Sequence, residues 1–490
     1  MKPAWVHRAV YAAGSALVAG LLIAPIPNLI SARQAANEAD LAAATNIVQN
    51  LAEGADTDQV EIDGDLLTVR RVAERLAVPV RERNIESTEG SVVADYPEPA
   101  CLVVSIDGIA TVSVGTTDAL IPASVQKLLT AVAALEVIGP ETTFTTRVEA
   151  TAAPSADGVV AGDLVVVGGG DPVMAEREYA DSYSRQPQVL TDIGVLADAV
   201  AEAGVTRIEG DLRVVDDRYD TIRYVESWPE RYFDQHNSGP IGALTVNDGF
   251  VAWDPQRVEA DNPAVYFGEV FRRLLAERGV VIQGAVRYGS DSAAVAEIAS
   301  VQSPPLAEIV QGMLRESDNN TAEALLKEIG FVSEGTGSTA AGASVVERVV
   351  SARVADASQL VVVDGSGLDR GNRVTCAILV TLLDQEGRHS VIGDGLAVAG
   401  QSGTLGHRFT DTQVAGRLHA KTGLLNNVNG LAGFVETLDG NTVTFAQLLN
   451  GIPLNSRLGI ELQEDLAAQL IEIAAGPGLE ELVSRARLDP

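Results

Sequence analysis

Lysine is almost missing from this chain. Only Lys2, Lys127, Lys327 and Lys421 occur among 35 basic residues, and arginine supplies the rest. Cysteine is as scarce, with Cys101 and Cys376 alone, too few for a disulfide-rich scaffold. No C-x-x-C, H-E-x-x-H or G-x-x-x-x-G-K-[ST] pattern occurs. Metal and nucleotide readings are therefore left without a motif, and no metal or other cofactor is expected. Positive charge is short overall, at a formal net charge of −32. Such a field repels phosphates, which argues against non-specific binding to nucleic acid or anionic lipid. An anionic substrate would need a local cationic pocket.

What is present is a long chain with a globular composition. Its 490 residues are too many for one ordinary core, and 46% hydrophobic content fits an α/β or α+β protein. Lys2 and Arg8 precede an apolar run over 9–32. Proline at 25 breaks that run after about 16 residues, which is signal-peptide length and short for a membrane span. Ser31 and Ala32 offer a cleavage site; an uncleaved anchor is the alternative over 1–32. Either way the N-terminus engages the membrane during export, and the rest of the chain is extracytoplasmic. In that oxidising compartment Cys101 and Cys376 form either a disulfide or two separately buried thiols. Residues 33–97 are acidic and alanine-rich and read as a spacer. "CLVVSIDGIATVSVG" reads as a hairpin about Asp107-Gly108, followed by an apolar helix, "IPASVQKLLTAVAAL", with Pro122 in its first turn. Strands and helices alternate from 140 to 300. The helices "LAEIVQGML" and "TAEALLKEIG" then flank the loop "RESDNN", and "HAKTGLL" reads as a strand.

Ser124 and Lys127 are three apart, so on a helix they share a face. A serine needs a base to become a nucleophile. A lysine is a base only if burial or a second cation lowers its pKa, and Leu128, Leu129 and Val132 supply apolar surroundings. Arginine does not deprotonate, which is a reason to keep lysine here. Alone, S-x-x-K is a weak pattern and reads better as an ordinary helix with a snorkelling lysine. Two further fragments change that balance: Ser317-Asp318-Asn319, and Lys421-Thr422-Gly423. S-x-x-K, S-D-N and K-T-G in this order are the set of penicillin-binding proteins and class A β-lactamases. In that chemistry Ser124 attacks a carbonyl and Lys127 takes its proton. Ser317 relays a proton towards the leaving amine, and Asn319 holds substrate and lysine. Lys421 attracts a substrate carboxylate and helps keep Lys127 neutral. The N–H groups of Ser124 and Leu424 form the oxyanion hole, and Gly423 leaves a clear strand edge for the substrate. Lys327 has no such context and reads as a solvated helix lysine. His419 would face the same side of its strand as Lys421 and reads as packed or solvated, with a substrate-rim role as the sharper alternative.

With "GGGDPVM", "VVDGSGLDRGNRVT", "SGTLGHRF" and "GLAGFV" added, residues 100 to 470 resemble the class C low-molecular-weight penicillin-binding proteins, the D-alanyl-D-alanine carboxypeptidase/endopeptidases of peptidase family S13. The resemblance implies an α+β chain. A β-lactamase/transpeptidase-like penicillin-binding domain, an antiparallel sheet flanked by helices, is expected over 98–146 and 303–490. The 193 positions from Ser124 to Ser317 house an inserted α/β domain, about 147–302, somewhat short for the family. Implied partners are peptidoglycan peptides ending in D-Ala-D-Ala and covalent β-lactams. Two positions depart from the family. Leu424 follows K-T-G where the family has Ser or Thr, so Thr422 and Lys421 are left to hold the carboxylate. Asp369 replaces a second serine after D-G-S-G-L. The competing readings are a serine β-lactamase, for which no E-x-x-L-N loop is found, and a catalytically weak cell-wall-binding protein. A lipase is disfavoured because Ser124 has no G-x-S-x-G.

Overall fold

The apolar run that starts at Cys101 becomes the inside of a sheet covered on both faces. The structure, a computed structural model, describes residues 96–471 apart from Asp107, 290–293, Asp439 and 454–455. The expected export segment and nearly all of the spacer lie outside the described residues. The chain enters through β1 (Ala100–Ile106) and β2 (Ile109–Gly115). It then passes through a second sheet, β3 (Thr145–Ala150), β4 (Leu164–Val167), β5 (Leu212–Val215), β6 (Val286–Tyr288) and β7 (Ala296–Gln302). It returns to the first sheet as β8 (Ala397–Val398), β9 (Leu418–Leu425), β10 (Val428–Glu436) and β11 (Thr442–Asn450). The first sheet runs β8-β9-β10-β11-β1-β2, with every neighbour antiparallel.

Successive strand residues point to opposite faces. On β1, Cys101 and Val103 enter one core while Leu102, Val104 and Ile106 enter the other. A strand covered on both faces carries apolar residues on both, and that is why "CLVVSI", polar only at Ser105, does not alternate. The first core is filled by helices α1 (Lys127–Val137), α4 (Leu306–Glu316), α5 (Asn319–Glu334), α6 (Thr339–Arg353) and α7 (Cys376–Glu386). The second is closed by α8 (Leu458–Leu470) through Leu466, Ala467 and Leu470.

The other sheet has the order β6-β5-β4-β3-β7. It is parallel from β4 to β6 and antiparallel at β3 and β7. Between β4 and β6 the chain forms α2 (Ile193–Glu202) and α3 (Pro263–Glu277), which pack Leu196, Val200, Phe267 and Phe271 on Val166, Leu212 and Val214. Asn262 starts α3 by accepting from the amides of Ala264 and Val265, with Pro263 at the first helical position. The architecture is α+β, the class the sequence predicts. Among the described residues no helix is long and apolar enough to cross a membrane.

The chain from β3 to β7, a second unit built on that second sheet, leans on α5 through charge. Buried Glu328 accepts from Arg218 Nε at 2.8 Å and from the Tyr219 hydroxyl at 2.9 Å. Beside it, Lys327 corrects its sequence reading. It is 2% exposed, and its Nζ donates to Asp220 Oδ1 at 2.6 Å. The segment 218–222 lies over the face of α5 that a helix period alone would leave in water.

Cys101 and Cys376 form a disulfide, with Cα atoms 6.1 Å apart, tying β1 to the start of α7 across 275 positions. Closing so long a loop restricts the unfolded chain by about 5 kcal/mol in the chain-entropy picture. Reduction, or replacement of both cysteines by alanine, should lower the thermal midpoint by several degrees in calorimetry. An unchanged midpoint would show that the bond adds nothing to the packed β1–α7 contact.

Candidate active site

The site begins with a tight turn. Ala123–Gln126 is a 3₁₀ turn that runs directly into α1, so the expected helix is split at Lys127. At three residues per turn Ser124 lies directly over Lys127. Ala123 holds φ 48°, a left-handed conformation that costs a non-glycine residue on the order of 1 kcal/mol or more. Two glycines make the turn possible. A Cβ on Gly367 (φ 85°) would lie 1.9 Å from the Ala123 carbonyl oxygen, and one on Gly423 would lie 2.6 Å from that of Pro122. The sequence reading gave Gly423 a bare strand edge for the substrate. In the structure the side-chain space is taken by the turn that carries Ser124.

Lys127 is fully buried, and its Nζ has three oxygen partners. Asn319 Oδ1 and the Ser366 carbonyl both accept at 2.7 Å, and Ser124 Oγ lies at 3.1 Å. The Asn319 amide is oriented from its other end, where Nδ2 donates to the Asn237 carbonyl at 2.6 Å. The two short partners only accept, so the amine must donate to both. Its third position faces Ser124 Oγ and is where a neutral amine carries its lone pair. Burial lowers the Lys127 pKa to about 8, against the pull of Asp364, Glu323 and Asp318.

Ser317 and Asp318 form the junction between two helices. Ser317 ends α4 in the left-handed region (φ 63°), and Asp318 starts α5 by accepting from the Asn320 amide. Lys421 reaches this junction from β9: its Nζ donates to Ser317 Oγ at 2.8 Å and to the Thr422 carbonyl at 2.9 Å. Burial, then Lys127, then Arg185 push the Lys421 pKa well below normal. The repulsion expected to hold Lys127 neutral is thus felt most at Lys421, while Lys127 is lowered chiefly by burial. Thr422 Oγ1 donates to Thr404 Oγ1 at 2.8 Å. Leu424 is 68% exposed. The structure therefore brings Ser124, Lys127 and Asn319 into one hydrogen-bonded set and Ser317 and Lys421 into another. Thr422, Gly423 and Leu424 follow Lys421 along β9. Among the described residues no cluster of metal-ligating side chains occurs.

A sequence profile of the D-Ala-D-Ala carboxypeptidase 3 (S13) family matches residues 107–259 and 252–473. The chain belongs to this family. It is 29% identical over 465 residues to a D-alanyl-D-alanine carboxypeptidase of Actinomadura sp. strain R39, covering 77% of this chain and 83% of that one. It is 31% identical over 370 residues to carboxypeptidase DacB of Mycolicibacterium smegmatis, covering 72% and 76%. The fold matches the crystal structure of penicillin binding protein 4 (dacB) from Haemophilus influenzae with a TM-score of 0.68 at 19% identity, over 78% of this chain and 99% of that one.

Around the S13 motifs lies a second ring of groups that sequence reasoning missed. Buried Glu323, one helical turn after Asn319, accepts from the amides of Gly365 at 3.1 Å and Ser366 at 2.8 Å. That contact sets the Ser366 carbonyl against Lys127. Buried Asp364 accepts from Gly367 N, Asp369 N, Asn372 Nδ2 and Trp228 Nε1. Burial raises both acids, and the nearby Asp364 adds to it at Glu323, which reaches about 8. The available signal for Glu323 was its spacing of four from Asn319, which puts both on one face of the helix. Asp369, which sequence left without a reason, accepts from Ser227 Oγ and from the Gly371 amide at 2.6 Å. Trp228 and Ser227 both come from the second unit. His419 is buried against Arg388 at 2.8 Å, and burial, then that guanidinium, lowers its pKa to about 4, so it is the packed histidine of the two readings.

Gly423→Ala tests the close approach. Its Cβ would meet two backbone atoms, at 2.6 Å and, for Ser124 N, 3.2 Å. Overpacking of this kind costs about 1–3 kcal/mol, and displacement of Ser124 should slow labelling by a fluorescent penicillin at least about tenfold. Wild-type labelling kinetics would show that the turn yields without harm.

Proposed function

We propose that the chain is a serine-type D-Ala-D-Ala carboxypeptidase/endopeptidase that acts outside the cytoplasm on peptidoglycan stem peptides through an acyl-enzyme on Ser124. The observation that carries this reading is the coordination of Lys127. Two fixed acceptors take its hydrogens, so a neutral amine directs its lone pair at Ser124 Oγ. Lys127 accepts the hydroxyl proton as Ser124 Oγ bonds to the penultimate D-Ala carbonyl carbon. The oxyanion formed is held by the N–H groups of Ser124 and Leu424. Ser317 Oγ, already paired with Lys421, passes its proton to the leaving nitrogen, the proton taken up by Lys127 replaces it, and the C–N bond breaks. Water then cleaves the ester, returning the Ser124 proton.

The departing carboxylate is held by Lys421 and Thr422. Leu424 brings no hydroxyl, but Thr404 places one beside that of Thr422. The names of the relatives support the carboxypeptidase reading. The Haemophilus protein has also been solved in complex with a β-lactam, which supports β-lactams as ligands here.

The following measurements test the proposal. Fluorescent penicillin should label the wild type and not Ser124→Ala; an unlabelled wild type would leave a non-catalytic wall-binding protein as the better reading. Lys127→Arg should lose about a thousandfold or more in acylation, since arginine cannot become the base. The acylation rate should rise with pH around an apparent midpoint near 8, because the neutral form of Lys127 is the active one. A rate that is flat or falling from pH 6 to 9 would remove Lys127 as base. Mass spectrometry of digested peptidoglycan fragments should find released D-alanine, whereas fast nitrocefin turnover would favour a β-lactamase.

A further inference from the structure

Beside the S-D-N junction the second unit leaves a cavity of about 200 Å³. Tyr179, Tyr183, Asp248 and Arg257 form one wall, and Ser317 and Asp318 belong to the other. On a scale where one water takes about 10–15 Å³, the space holds on the order of fifteen waters. A leaving D-alanine would fill only a fraction of it. No step described above uses these wall residues other than Ser317.

The wall is built rather than incidental. Asp248 Oδ2 accepts from both tyrosine hydroxyls, from Tyr179 at 2.7 Å and Tyr183 at 2.8 Å. The rings of Tyr179 and Tyr183 meet edge to face at 5.4 Å, and Trp253 packs on Tyr179 at 5.0 Å. Asn247 and Asp248 both hold positive φ, 55° and 53°. Consecutive left-handed non-glycine residues cost on the order of 1–3 kcal/mol each and persist where surrounding structure requires them. The Asp248 carbonyl also accepts from Asn320 Nδ2 at 3.2 Å, coupling this wall to the helix that carries Asn319.

Both signs of charge face the space. Asp248 and Asp318 offer carboxylates, and burial together with Asp318 holds the Asp248 pKa up at about 6, so a bound cation would favour its ionised form. Arg257 lies over the rings of Tyr183 at 5.8 Å and Phe250 at 4.9 Å. Arg185 lines the same cavity, paired with Glu316.

Resting on the acyl-transfer reading above, in which Ser317 protonates the leaving amine, we propose that this cavity is a leaving-group subsite. It takes a peptide fragment bearing both an ammonium and a carboxylate, the chemistry of a second stem peptide in a cross-link. Atoms attached to the leaving nitrogen extend past Ser317 into the space between the units. The second unit then confers endopeptidase specificity, while release of D-alanine alone needs none of this wall.

The test uses two substrates with the same acyl part ending in D-Ala. One leaves D-alanine, and the other leaves a short peptide with a free ammonium and a free carboxylate. The wild type should favour the second by about tenfold or more in kcat/KM, and N-acetylating its ammonium should abolish the preference. Asp248→Asn keeps a residue tolerant of positive φ. It should erase the preference while D-alanine release and penicillin labelling stay within about twofold. Tyr183→Phe, a milder change, should reduce the preference in the same direction. Equal kcat/KM for both leaving groups in the wild type, or an equal loss on both substrates in Asp248→Asn, overturns the subsite while penicillin labelling stands. Absence of labelling in the wild type overturns the acyl-transfer reading and the subsite with it.

Discussion

The site depends on keeping one amine dry and still. An ammonium buried without a close carboxylate is costly, and the protein answers by lowering its proton affinity. Lys127 meets only neutral oxygens within hydrogen-bond reach. The carboxylates of Asp364, Glu323 and Asp318 act on it through space and pull its pKa partly back. The balance leaves an amine whose pKa is lowered to about 8. A direct salt bridge would have fixed the proton in place, and an exposed lysine would have kept it. The geometry around the amine is therefore as constrained as its identity.

That constraint propagates outward. The Ser366 carbonyl is placed by Glu323, the Gly365–Asp369 loop by Asp364, and Asp364 in turn by Trp228. The Asn319 amide is oriented by the Asn237 carbonyl. Two of these supports, Trp228 and Asn237, come from the unit that interrupts the first fold, so that unit is part of the scaffold of the site. Its ion pairs with α5 at Glu328 and Lys327 bury charge at a desolvation cost that only paired geometry offsets.

Much of the site was legible in the primary structure. Ser124, Lys127, Ser317, Asn319 and Lys421 are all brought together, because each motif is a side-chain chemistry at a short local spacing. The readings that failed were those about faces. Lys327 looked solvated because helix periodicity says nothing of a second unit lying over α5. Gly423 has a further reason that the sequence did not show, because the approach of the Pro122 turn is a contact over 300 positions away. Asp369 had no rationale until Ser227 was found beside it. Leu424 keeps its peculiarity: it stays exposed, and a further hydroxyl is contributed beside Thr422 by Thr404.

Sequence alone determined which groups can do the chemistry. Proton affinity, nucleophilicity and the inability of arginine to deprotonate are properties of side chains, and i to i+3 spacing is a property of the local backbone. Only the tertiary structure decided how Lys127 titrates and what it touches. Its partners Asn319 and Ser366 lie 192 and 239 positions away. Desolvation depends on everything packed around a charge, and packing is set by the whole chain at once.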